Sequence, residues 1–129
     1  MFKVVLFPVD RSPEARQAAA LVLQIAQMHN STLHILAVVE PENEAMASPD
    51  AVEALLEEAK AVFVEQGIQT QTIERSGKPA FTICDVADEI EADLIVMGSR
   101  GLGLTVEGAS DSVAQKVLSL SPCPVLVVP

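Results

Sequence analysis

The sequence predicts an α/β fold: a single doubly wound five-stranded parallel sheet with helices on both faces. Three observations predict it. Short apolar runs alternate with amphipathic helical patterns from one end to the other, which is the rhythm of βα repetition. Most of the apolar runs are continuous rather than alternating, as strands buried on both faces are. The helical patterns each carry an apolar stripe and a polar back, so they cover the sheet from outside. At 129 residues the chain is expected to form one domain over 1–129, large enough to bury a core without disulfide or metal.

Each element has its own signal. Val4 to Val9 is an apolar run and reads as the first strand. Ser12-Pro13-Glu14 then opens a helix, because Ser caps, Pro fits the first turn and Glu suits the positive end of the dipole. Ala15, Ala18, Ala19, Val22, Ile25 and Ala26 recur at helical spacing, and Asn30 offers a left-handed stop. Leu33 to Val39 is the second buried strand. Glu40 to Pro49 reads as a solvated loop with two prolines and three glutamates. Ser48-Pro49-Asp50 repeats the capping chemistry, the stripe Val52, Leu55, Leu56, Ala59, Val62 and Phe63 follows, and Gly67 ends that helix. Glu53, Glu57, Glu58, Lys60 and Glu65 form its solvated face.

Ile68 to Glu74 is only weakly apolar and rich in Gln and Thr, as an edge strand is. Gly77-Lys78-Pro79 turns into a third helix with Ala80, Ile83, Cys84, Ala87 and Ile90 on its apolar side. Leu94 to Met97 is a fourth, buried strand. Val113, Val117, Leu118 and Leu120 mark a fourth helix, and Val125 to Val128 a last strand.

Composition excludes several function classes. Eight basic residues face 18 acidic ones, a formal net charge of -10. Such a chain repels phosphate backbones and anionic lipid, so neither nucleic acid nor membrane is an expected partner. Trp and Tyr are absent, which removes the aromatic platforms that stack single-stranded bases. The apolar N-terminus is too short for a secretory signal, and no run approaches the roughly 18 apolar residues of a spanning helix. Cys84 and Cys123 have no metal-ligand spacing to each other or to His29 and His34. Two reduced thiols and a cytoplasmic location are expected.

In doubly wound sheets, ligands bind beyond the carboxyl ends of the strands where the winding reverses. Two segments fall there. After the fourth strand, Gly98 to Ser112 holds four of the six glycines in 15 residues. Strand, glycine-rich loop and helix start together form an anion cradle, with Ser112 a hydroxyl donor and Arg100 the nearby guanidinium. The alternative is that a connection of this length needs glycines simply to turn. The spacing matches neither a P-loop nor a dinucleotide fingerprint. After the first strand, Asp10 stands at the opposite lip. It can accept hydrogen bonds from ribose hydroxyls, hold Mg²⁺, or orient the helix that begins near Ser12.

The order of elements, Pro8-Val9-Asp10, Gly77-Lys78-Pro79, Asp93 to Gly101, and Ser112-Val113 through Ser121-Pro122-Cys123-Pro124 to Val128 make the chain similar to the universal stress protein family. The resemblance spans the whole chain and is most specific in its last 37 residues. It implies a small cytosolic α/β protein, dimeric, made abundant under stress, with ATP or another adenine nucleotide held through Gly-x2-Gly-x9-Gly-Ser/Thr. Gly98, Gly101 and Ser112 match that pattern. Asp10 matches the position that meets ribose and metal, Val38 the one whose backbone meets adenine, and Val113 one that offers an amide to phosphate. The implied dimer pairs through Val125 to Val128, and any further protein partner is unknown.

The third motif glycine is replaced by Asp111. A carboxylate about 4 Å from a phosphate charge is repelled by about 1 kcal/mol in water and about 4 at an effective dielectric near 20. The smaller figure alone costs about fivefold in affinity. Asp111 can equally cap the fourth helix or share a divalent cation with phosphate. A family member that binds no nucleotide and acts through protein contacts is therefore the alternative. Catalysis has less support: no lysine sits at a P-loop position, and Asp10 is the one candidate base for a slow ATP hydrolysis. From Gly98 to Ser112 one base, Arg100, faces two acids, Glu107 and Asp111, a local net of -1.

Overall fold

Continuous apolar runs become strands because both faces of each find a helix layer. The computed structural model of the chain describes residues 1–99 and 113–129, apart from the side chains of Pro13 and Glu14. Its elements are β1 (Val4–Pro8), α1 (Pro13–His29), β2 (Thr32–Val39), α2 (Pro49–Glu65), β3 (Gln69–Ser76), α3 (Pro79–Glu89), β4 (Leu94–Gly98), α4 (Val113–Leu120) and β5 (Val125–Val128). All pairings in the sheet are parallel, in the order β3-β2-β1-β4-β5. The doubly wound sheet expected from the sequence is the fold observed.

One face packs Val5 and Phe7 of β1 and Leu33 and Ile35 of β2 against Val22 of α1 and Phe63 of α2. Phe7 and Phe63 meet edge to face, their ring centroids 6.1 Å apart. The other face packs Leu6, Leu36 and Ile95 against Ile83 of α3 and Val117 of α4. Leu6 and its neighbours Val5 and Phe7 are at most 1% exposed, so β1 is covered from both sides.

The helix boundaries follow local chemistry. Ala15 N–H donates to Ser12 Oγ (3.4 Å) and Ala51 N–H to Ser48 Oγ (3.3 Å). Asn30 takes the left-handed conformation (φ 53°, ψ 48°) and returns its N–H to the Ala26 carbonyl, closing α1. Gly77 has φ +148°, and a Cβ there would lie 2.9 Å from Thr82 Oγ1, so the turn into α3 requires glycine.

Two expectations are corrected. The segment after β2 is not wholly solvated: Glu44–Met46 forms a 3-10 turn, and Met46 is 2% exposed. An apolar residue in an acidic stretch gains more by folding back onto the core than the stretch loses in solvation. The apolar stripes are also wider than the buried faces, since Val62, Leu118 and Leu120 are each about half exposed.

His34 lies within β2, in register with Leu6 of β1 and Gln71 of β3, and its Nδ1 is buried without a hydrogen-bond partner. Burial pushes its pKa below the ordinary value near 6.5. Below pH 6.5 the unfolded chain therefore binds a proton that the folded chain does not. Stability is expected to be full above pH 6.5 and to fall as the pH drops from there toward the folded-state pKa. The slope from this one proton is at most about 1.4 kcal/mol per pH unit. Urea unfolding between pH 7.5 and 5.5 measures it, and His34→Gln should flatten that share of the pH dependence.

Candidate functional site

The winding reverses between β1 and β4, which are neighbours in the sheet but lead to helices on opposite faces. A cleft opens there, and Pro8 helps to open it. Thr32 N–H donates to Lys3 C=O and Val9 N–H to Leu36 C=O, both at 2.8 Å, so the odd-numbered residues of β1 bond to β2. Pro8 therefore faces β4, where it has no N–H to give. Pairing of β1 with β4 is seen at Val5 and Leu6 only, and Pro8, Val9 and Asp10 line the gap beyond it.

Asp10 enters through a local turn. Its Oδ1 accepts the Ser12 N–H at 2.9 Å, and Ser12 in turn caps α1. The orienting role open to Asp10 from the sequence is thus present, and the half-buried carboxylate still lines the cleft.

On the β2 side the same alternation sets the backbone. Even-numbered residues of β2 point their peptide groups toward β1, and the last rung is Val9 N–H to Leu36 C=O. The next groups on that edge, the Val38 N–H and C=O, stand beyond the ladder and face the cleft. Val38 itself is 5% exposed and packs into the core below, so its core role and its place in the cleft coexist.

Glu40 and Met46 also line the cleft, although their segment reads in the sequence as a solvated loop. Glu40 N–H donates to Met46 C=O (2.8 Å), and Glu40 C=O accepts from Asn43 N–H (2.9 Å). Asn43 caps the short turn through Oδ1, which accepts the Ala45 N–H at 3.1 Å. The Asn43 cap was the available sequence signal that this stretch folds back.

From the far side come Pro79 and Ile83 of α3, Met97 and Gly98 of β4, and Val113 at the start of α4. Gly77 N–H donates to Val39 C=O at 3.2 Å, which ties the Gly77-Lys78-Pro79 turn to the end of β2. Asp10, Val38, Gly98 and Val113 are thus brought to one cleft. Arg100, Gly101, Asp111 and Ser112 lie outside the described residues. Among the described lining residues the charges are Asp10 and Glu40, with no lysine or arginine.

The thiols stand apart from this chemistry. Cys84 is buried in α3 and Cys123 is half-buried, and both are free. Burial raises the pKa of each, with the Asp85 charge adding to Cys84 and a Ser121 hydrogen bond partly offsetting the rise at Cys123. They stay protonated and are poor nucleophiles at neutral pH. Among the described residues no group of His, Cys, Asp and Glu is placed to hold a metal ion, and no helix is long and apolar enough to cross a membrane.

A model of the universal stress protein family matches residues 1–129. The chain belongs to the universal stress protein family. The universal stress protein Sll1654 of Synechocystis is 60% identical over 136 residues, covering 100% of this chain and 87% of that relative. A universal stress protein of Thermus aquaticus is 38% identical, with 99% of each chain covered. Among solved structures, a universal stress protein crystallised in complex with cAMP superimposes with a TM-score of 0.83 at 28% identity, covering 99% of this chain and 97% of that one.

Within this family frame Asp10 is expected to carry a structural load independent of any ligand. Asp10→Ala removes the acceptor for Ser12 N–H and should lower stability by about 0.5–1.5 kcal/mol. Asp10→Asn keeps an oxygen there and should retain most of it. Urea unfolding of both variants without nucleotide checks the difference.

Proposed function

We propose that this universal stress protein binds an adenine nucleotide in the cleft as a regulatory ligand, and that occupancy alters which protein it engages. The observation that carries the reading is the Val38 peptide edge, a donor and an acceptor facing the cleft beyond the last β1–β2 rung. That pair is complementary to the N1 acceptor and amino donor of adenine. The related protein in complex with cAMP supports the same ligand class. Gly98, Gly101, Ser112 and Val113 would supply backbone and hydroxyl donors to phosphate, with Arg100 adding charge. Asp10 would meet the ribose hydroxyls or a Mg²⁺ carried by the phosphates.

Isothermal titration with ATP, ADP, AMP and cAMP, with and without Mg²⁺, tests this. Saturable heat below about 1 mM ligand, a binding energy beyond about 4 kcal/mol, is expected. Absence of heat at millimolar concentrations of all four would overturn it. The second reading, action through protein contacts alone, is favoured by Asp111 at the third motif position. It gains if Asp111→Gly creates binding that the natural chain lacks.

We also infer a homodimer through β5. Among the described residues, the sheet order leaves the outer edge of Val125–Val128 unpaired. Its residues are half-buried or exposed, with Leu126 at 37%. The half-exposed Leu118 and Leu120 lie on α4, which packs on β5. An exposed apolar edge of this kind is a template for pairing, and twofold association satisfies it. Sedimentation at micromolar concentration should give a dimer, and Leu126→Asp should give a folded monomer. A natural chain that sediments as a monomer would remove the inference.

A further inference from the structure

We propose that Glu40 reads the exocyclic amine of the base, making the cleft selective for 6-aminopurine over 6-oxopurine nucleotides. This rests on the nucleotide reading above and assigns a specificity-determining side chain within it. Glu40 follows Val38 by two residues, at the point where β2 leaves the sheet, and lines the same cleft. Its position is built by the fold. Both of its backbone groups are engaged in the turn, N–H to Met46 C=O and C=O from Asn43 N–H. The turn is held in turn by Asn43, which accepts Ala45 N–H through Oδ1 and Met46 N–H through its carbonyl at 2.9 Å. The carboxylate is therefore the group that this residue offers to a ligand.

Its surroundings fix what that ligand must present. Met46, 2% exposed, sits beside it and gives a planar base an apolar wall. Among the described residues no lysine or arginine lines the cleft beside the carboxylate, so a hydrogen-bond donor on the ligand is a fitting complement to it. β2 and β4 are separated by β1, about 10 Å at ordinary strand spacing. A base anchored at β2 thus directs the remainder of a nucleotide across β1 toward Gly98 and Val113. An ionised carboxylate only accepts hydrogen bonds. A 6-amino group donates to it, whereas a 6-oxo group sets acceptor against acceptor and leaves both unpaired.

The test compares AMP with IMP, which differ at this position, by titration calorimetry on the full chain. The natural protein should bind AMP at least about tenfold more tightly than IMP. Glu40→Gln keeps the shape but can donate as well as accept, so the AMP/IMP ratio should contract by at least about threefold, the remainder being set by the Val38 peptide edge. Glu40→Ala should weaken AMP without this rescue of IMP. Unfolding curves coincident with the natural chain show that each variant is folded. A ratio unchanged by Glu40→Gln, or equal binding of both nucleotides by the natural chain, overturns this inference and leaves nucleotide binding standing. Failure of both nucleotides to bind the natural chain overturns this inference together with the reading on which it rests.

Discussion

The structure depends on β1 being paired on both sides and covered on both faces. Lys3 C=O accepts the Thr32 N–H on one side, while on the other Asp93 N–H donates to Val4 C=O. Asp93 adds its carboxylate, whose Oδ2 accepts the Lys3 N–H at 3.0 Å and the Val4 N–H at 2.9 Å. These bonds join residues some 90 positions apart and clamp the start of β1 beside the start of β4. Register follows from the clamp. A slip by one residue would send Val5 and Phe7 to the face that now holds Leu6, and both helix layers would lose their complement. Fixing the start of β1 also fixes its end, so Pro8 falls where the cleft opens and Asp10 at its lip.

The cleft is a consequence of the same constraint. Neighbouring strands that hand the chain to opposite faces cannot both continue the ladder, and an opening at their carboxyl ends is unavoidable. Its two sides differ chemically. Toward β1 and β2 stand the acceptors of Asp10 and Glu40 and the peptide edge of Val38. On the other side α3 begins at Lys78, which gives no side-chain hydrogen bond to its first turn, unlike Ser12 and Ser48 in α1 and α2. Helix starts supply N–H donors and positive dipole. A ligand with donors at one end and an anion at the other fits that polarity.

Much of this was legible in the sequence because the signals were local. The continuous runs at Val4, Leu33 and Leu94 encode two-sided burial directly, and Ser12, Ser48 and Asn30 carry their capping geometry in their side chains. Asp10 and Gly98 were placed at opposite lips of one cleft by the rule that ligands bind where the winding reverses, and Val38 and Val113 were added by resemblance, since nothing local says that positions so far apart share a cleft. Met46 and Glu40 were not legible as cleft residues. Their placement depends on a short turn folding back across β2, and an acidic stretch with two prolines gives no periodicity to reveal it. Leu118, Leu120 and Val62 show the converse: a helical stripe records which residues are apolar, not how many the sheet has room to cover.

The acidic balance of the chain acquires a specific meaning from these placements. A surplus of carboxylates on a solvated helix face changes solubility and little else. Two carboxylates lining a cleft change what can enter it. Asp10 uses one oxygen to hold the start of α1, so its charge is partly answered by the fold. Glu40 has its backbone engaged in the turn and lines the cleft. Repulsion between these groups and a ligand's phosphates falls with distance, whereas a hydrogen bond to a base amine is made at contact. A nucleotide whose base lies at β2 and whose phosphate lies at β4 takes the gain and escapes most of the cost. Under the proposed nucleotide reading, these carboxylates would favour a small amino-bearing nucleotide held in one orientation.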